Sequence, residues 1–403
     1  MTAYDVAIIG GGIVGLSTAF KLSEMYPALK SVVIEKESAP GSHQSSRNSG
    51  VLHSGVYYKP GSLKAENCIR GKKLLHEFCD KHSIQYKVCG KLIVASRPSE
   101  RGELEKLYKR GLDHGIQCRL IESESGLRDI EPYLKGCAGI HVASTSVIKF
   151  SDVVNKLSEL LCASGKDIRL NSKVERIKAG EKEHLIYTSS GEITAKVLVN
   201  TAGLFSDKIA QMGLDSVPLR IIPFRGEYYE LKEHAKKYCN ALIYPVPNPE
   251  YPFLGVHITR MIDGNVECGP NAVLALAREG YSWKHFSSKE LAETLLYPGF
   301  VKLAFKHGGT GIYEVLRSLN KRMFLSSVQN LIPDIREEDI TPGGSGVRAQ
   351  AVSSDGKLVD DFYFVEKKNQ LHVLNAPSPA ATSCLSIGES IVTKLATAAP
   401  DIF

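Results

Sequence analysis

The stretch YDVAIIGGGIVGLSTAFKLSEMYPALKSVVIEKE, residues Tyr4–Glu37, decides the fold. Its apolar run Val6–Ile9 suits a strand buried on both faces, and helical periodicity follows over Ile13–Met25 before a second apolar strand begins at Val32. Between the first strand and the helix stands Gly10-x-Gly12-x-x-Gly15. Glycines there permit a tight turn and let a pyrophosphate approach a helix N-terminus, where free N–H groups and the helix dipole favour anions. Glu35 closes the second strand twenty residues after Gly15 and can accept hydrogen bonds from ribose hydroxyls. The unit therefore reads as a dinucleotide site, with Gly10, Gly12, Ile13, Val14, Gly15, Glu35 and Lys36 at the cofactor.

Glu35 alone does not separate a nicotinamide from a flavin dinucleotide. A nicotinamide dehydrogenase would continue with regular βαβ units, but this chain makes a long polar excursion, HQSSRNSGVLHSGVYYKPGSLKA (residues 43–65), punctuated by glycine and proline. Another buried strand with a small-residue end, KVLVNTAG, comes only at residues 196–203. Amphipathic helices are expected in ENCIRGKKLLHEFCDKHSI, SERGELEKLYKRGLDHGI and SDVVNKLSELLCASG, the last with Ser151 or Asp152 as N-cap. A final helix is expected to start near Pro379, with the amides of residues 380–383 free to face a flavin carbonyl.

The layout resembles the D-amino-acid-oxidase-like family of flavoproteins. Further motifs run the length of the chain: NSGVLHSGVYYKPGSLKA, CGKLIVA, PFRG-x-Y, YPVP, PFLGVH-x-T, GPNAVLA, GVRAQA, LVDDF and NAPSPAATS. Together they are similar to the L-2-hydroxyglutarate dehydrogenase/oxidase branch of that family, over about residues 4–395. The resemblance implies FAD as cofactor and oxidation of a small dicarboxylic hydroxy acid to the 2-oxo acid. It implies a mixed α/β fold: a Rossmann-like FAD domain (1–80, 150–215 and 340–403) and a discontinuous β-sheet substrate domain (81–149 and 216–339). It also implies cofactor contacts from Ser45, Ser46, Arg47, Asn48, Ser49, Gly50 and Val51, from Val174, Ala202 and Gly203, and from Gly346, Pro379, Ala380, Ala381 and Thr382. Two rivals stay open: an oxidase of another small acid, amino acid or secondary amine, and a flavoprotein kept as a binding module without turnover.

Oxidising a 2-hydroxy acid needs a hydride acceptor, a base for the hydroxyl proton and cations for carboxylate. His53 and His257 compete for the base, and the sequence leans to His53. Arg348, in GGSGVRAQ, occupies the position where related amino-acid oxidases hold the substrate carboxylate. Arg225 and Arg260 are weaker candidates for a second anion site, because arginines at strand ends often only anchor loops. Tyr57, Tyr58 and Asn271 are candidate hydrogen-bond partners of the substrate.

The 403 residues point to two domains, and 50 Lys+Arg against 44 Asp+Glu give a net charge of +6. With no long basic run, nucleic acid is not an expected partner, whereas an acidic substrate or an anionic membrane is compatible. The nine cysteines are odd in number and form no C-x-x-C pair, so neither a disulfide framework nor a zinc site is expected. No signal peptide or membrane span is evident. The expected location is the cytoplasm or the inner face of a bacterial plasma membrane, or a mitochondrion if a transit peptide was trimmed. Residues 283–322 mix lysine and arginine with large apolar side chains, within a helical subregion at about 284–330. Helices packed on the substrate domain are the preferred reading, and peripheral membrane contact is the alternative. The electron acceptor is left open among a membrane quinone, oxygen and another carrier.

Overall fold

The computed structural model describes residues 2–247 and 254–403; Pro252 and Phe253 of the quoted PFLGVH run lie outside them. Strand β1 (Thr2–Ile9), helix α1 (Ile13–Met25) and strand β2 (Ser31–Ile34) form where the hydrophobic pattern places them. β1 pairs in parallel with β2 and with Gly191–Asn200, which itself runs parallel to Gln370–Asn375. Being central, β1 is covered on both faces, so Val6, Ala7 and Ile8 are all fully buried, which explains an apolar run without alternation. Helix α1 and the C-terminal helix Cys384–Ala398 pack on one face of this eight-stranded sheet, and strands 174–200 add an antiparallel edge.

A second sheet has nine strands, and a small third one joins Val51–Leu52, Ser146–Ile148 and Tyr86–Val88. Lys91–Ala95, Leu242–Pro245, His257–Arg260 and Val266–Gly269 stand side by side in the second sheet, and the long strand Leu219–Leu231 follows. Ile340–Ser353, expected in the FAD domain, pairs antiparallel along the whole of Leu219–Leu231 and so belongs to this second sheet. Its ladder bonds override the sequence neighbourhood. Two helix starts also differ from expectation. Helix Phe150–Ala163 begins after Lys149 with no side-chain cap, because Phe150 is drawn into the core and Ser151 and Asp152 become first-turn residues. The C-terminal helix begins at Cys384 rather than near Pro379. The amides of Ala380 and Ser383 are used by the carbonyls of Pro377 and Pro379.

The helical subregion is less packed than expected. Helix Pro298–Leu319 buries Gly299, Leu303 and Arg317. Its outer side leaves Phe305 89% and Ile312 and Leu319 66% exposed, beside Leu296 at 79%. No helix among the described residues is long and apolar enough to cross a membrane.

Candidate active site

One cleft of about 1760 Å³ runs between the two sheets. One end is the β1–α1–β2 unit. Gly10 has φ +110°, and a side chain there would meet the Thr201 carbonyl at 2.6 Å; a Cβ on Gly15 would meet the Gly10 carbonyl at 2.0 Å. Only glycine lets the helix start this close to the strand. Helix α1 has no acidic residue in its first turn and no side chain of Gly12 to cap it. Ser45 Oγ accepts from the Ile13 amide at 2.9 Å, and the cleft lies against Gly12, Ile13 and Val14. A helix N-terminus with its first amide held by Ser45 and no acidic residue in its first turn, beside an open cleft, fits a diphosphate.

Glu35 is buried at the end of β2. Its carboxylate accepts the Gly11 amide at 2.7 Å and the Glu37 amide at 2.9 Å, and it faces the cleft with Lys36 and Val174. Asn48 locks the following loop by donating to the carbonyls of Gln44 and Ser45 and accepting from the Gly50 amide. Arg47, Asn48, Ser49 and Val51 line the cleft, as do Ala202, Gly203, Gly346 and Pro379 to Thr382. Three of the expected cofactor residues do not. Gly15 is spent on helix–strand packing, Ser46 donates to the Gly41 carbonyl, and Gly50 abuts the Ile148 carbonyl. A clamp that the sequence reading missed closes this end. Glu279 pairs with Lys36 at 2.6 Å and with His43 at 2.9 Å, and His43 Nδ1 meets the Tyr281 hydroxyl at 2.7 Å. Burial opposes the charge on Glu279, but His43 and Lys36 override it and hold its carboxyl down at about 2.

The other end is lined by His53, Tyr57, Tyr58, Tyr228, Tyr244, His257 and Arg348. Arg348 projects from strand Ile340–Ser353, opposite Phe224, and donates to the Asn271 carbonyl at 3.4 Å. His257 is 7% exposed and stacks on Tyr244, with ring centroids 4.0 Å apart. Its Nδ1 lies 3.1 Å from the Gly255 carbonyl. A carbonyl can only accept, so the proton sits on Nδ1 and Nε2 keeps its lone pair. Burial lowers His257 to about 3 despite the Gly255 bond, with Lys91 and Arg348 adding to the shift. His53 is lowered to about 3 by burial, then by Lys91 and His257. Its Nε2 lies 3.4 Å from Ser378 Oγ, and its backbone amide donates to Thr382 Oγ1. Both imidazoles are therefore neutral at ordinary pH.

Three expected substrate residues fall outside this lining. Arg225 is fully buried, paired with Glu227 at 2.9 Å and stacked over Trp283. Asn271 is held by the Glu227 amide and carboxylate. Arg260 donates to the carbonyls of Cys239, Lys236 and Gly264, anchoring a turn. Tyr57 and Tyr58 stay in the site, their carbonyls held by Arg110 and His114. Tyr228 and Tyr244 join the lining unforeseen by the sequence, since strand periodicity gives no sign of which face meets a second domain.

The pattern that defines the family of FAD dependent oxidoreductases matches residues 5–394, and the chain belongs to that family. FAD is accordingly its cofactor, and the glycine turn, the α1 N-terminus and Glu35 fit it. A solved L-alpha-glycerophosphate oxidase from Mycoplasma pneumoniae with FAD bound superposes with a TM-score of 0.79 at 22% identity, covering 98% of this chain and 95% of that one. In sequence the chain is 47% identical over 389 residues to the L-2-hydroxyglutarate dehydrogenase of Indibacter alkaliphilus, covering 96% of this chain and 98% of the relative. It is 43% identical to the Escherichia coli protein of the same name, over 98% of this chain and 93% of the relative.

Proposed function

We propose that this protein oxidises L-2-hydroxyglutarate to 2-oxoglutarate. The observation that carries the reading is the far end of the cleft, where Arg348 and two neutral imidazoles share one lining with the cofactor wall. The near full-length similarity to dehydrogenases of that name supports the choice of substrate.

FAD, when bound, supplies the acceptor for the hydride that leaves C2. The remaining tasks fall to the chain. Arg348 holds the carboxylate next to the reacting carbon, where a planar guanidinium gives charge and two parallel donors. His257 takes the hydroxyl proton at Nε2, because the Gly255 carbonyl fixes its tautomer. His53, on the glycine-punctuated loop, orients the substrate beside Ser378. Glu35 receives the ribose of the cofactor.

Electrons then pass to an acceptor that is a membrane quinone, oxygen or another carrier. The outward apolar side of Pro298–Leu319, flanked by Lys302 and Lys306, suits peripheral contact with an anionic bilayer. Co-sedimentation with anionic vesicles, absent in Phe305→Ser/Ile312→Ser, tests that contact.

The substrate is tested by mixing purified holoprotein anaerobically with L- or D-2-hydroxyglutarate and following the flavin absorbance. The L-isomer is expected to bleach it and the D-isomer to leave it yellow. Indifference to both, with bleaching by an amino acid instead, would replace this reading with that of an amino-acid oxidase.

A further inference from the structure

A dicarboxylate needs two anion sites, and the reading above uses only Arg348. Arg225 and Arg260, the other arginines considered, are committed to Glu227 and to backbone carbonyls. A different cation lies directly behind the cleft wall, covered by two of the rings that line it. Lys91 projects from the middle of the second sheet, between Leu242 and Val142, and is 1% exposed. Its Nζ sits 3.7 Å from the centroid of the Tyr244 ring and 4.3 Å from that of Tyr57. Among the described residues it has no carboxylate partner and no hydrogen-bond acceptor.

A buried ammonium with only aromatic faces for company is costly, so its retention beside a cavity points to an anion that comes and goes. Both rings that enclose it line the cleft. The Tyr57 hydroxyl is also buried with no hydrogen-bond partner among the described residues, which leaves a second donor at the same place. Tyr244 stacks on His257, so the position adjoins the reacting end. Burial brings the Lys91 ammonium down to about 7, so an arriving carboxylate would draw it fully into the charged form.

We propose that Lys91, together with the Tyr57 hydroxyl, is the subsite for the distal carboxylate of the substrate, and so the residue that selects a dicarboxylate over a monocarboxylate 2-hydroxy acid. The proposal rests on the reading of this cleft as a 2-hydroxyglutarate site.

The test compares L-2-hydroxyglutarate with its 5-amide, which keeps the C1 carboxylate and hydroxyl but loses the distal charge. The wild type should favour the acid in kcat/KM by on the order of 10²-fold. Lys91→Met should lower kcat/KM for the acid by about that factor, mainly through KM, while the amide changes by less than about threefold. Lys91→Arg should retain the preference. Equal losses for acid and amide in Lys91→Met, at unchanged flavin content, would overturn the subsite. If Lys91→Met does not hold flavin, the wild type and Lys91→Arg decide: a wild type that turns over acid and amide alike overturns the proposal. A wild type inert towards L-2-hydroxyglutarate but active on another substrate removes the reading of the cleft, and the subsite with it.

Discussion

Along the cofactor wall, from Gly10 through Ser45 to Gly203, the cleft meets mostly backbone amides and small residues, with the Glu35 carboxylate held by two amides and the Glu279–Lys36–His43 clamp at its edge. At the far end it meets Tyr57, Tyr228, Tyr244, His257 and Arg348, long side chains from one loop and four strands far apart in sequence. A wall made of backbone depends on where the chain can go, so it fails when a side chain is added. A wall made of side chains depends on chemistry at their tips, so it fails when a tip is removed. The two walls should therefore separate cleanly in experiment, cofactor loss on one side and turnover loss with cofactor retained on the other.

The largest effect is expected at the side-chain wall. His257→Ala should lower turnover by roughly 10²–10⁴-fold, the span of a positioned general base, with flavin still bound. His53→Ala should cost clearly less, because no fixed acceptor sets its tautomer. Single-turnover flavin reduction measures both, and the reverse order would give the base to His53.

Much of the backbone wall was legible because its signals are local. Gly10, Gly12 and Glu35 lie within one strand–helix–strand unit, and the periodicity that defines the unit fixes their neighbours. The side-chain wall was only half legible. Arg225, Arg260 and Asn271 look like substrate residues by type, but their places in the fold turn them to Glu227 and to carbonyls. Lys91 in CGKLIVA reads as an ordinary strand residue, since nothing in five residues of sequence tells that Tyr57 and Tyr244 will enclose it. Ile340–Ser353 was placed with the wrong sheet because its partner strand lies over a hundred residues upstream.

The next effect tests the backbone wall. Gly10→Ala puts a side chain at positive φ and against the Thr201 carbonyl. Strain of about 1–3 kcal/mol from the conformation alone should weaken flavin binding by roughly ten- to a hundredfold. The measurement is the flavin-to-protein absorbance ratio after gel filtration. Full occupancy in that variant would break the comparison.

Glu35→Ala should weaken FAD by less, about 0.5–1.5 kcal/mol, since it removes one acceptor and leaves the Gly11 and Glu37 amides without it. Added FAD should restore colour and then activity, and a permanent loss of activity at saturating FAD would place Glu35 elsewhere in the mechanism.

The smallest effect is an absence of change. A histidine lowered to about 3 is neutral, and able to accept a proton, at every pH above that value. The kcat/KM for L-2-hydroxyglutarate should therefore not fall through histidine protonation as pH is lowered from 8 to 5. An acid limb near 6.5 that vanishes in His257→Ala would contradict the burial of that ring.

The most direct test of the division between the walls is Arg348→Ala, examined twice in one preparation. Its flavin content and its reduction by dithionite should match the wild type, because no part of the cofactor wall is altered. Its kcat/KM for L-2-hydroxyglutarate should fall by about 2–5 kcal/mol in transition-state terms, the cost of removing one partner of a buried charge pair. Normal flavin reduction by L-2-hydroxyglutarate in Arg348→Ala would contradict the account, and so would an Arg348→Ala protein that no longer holds FAD.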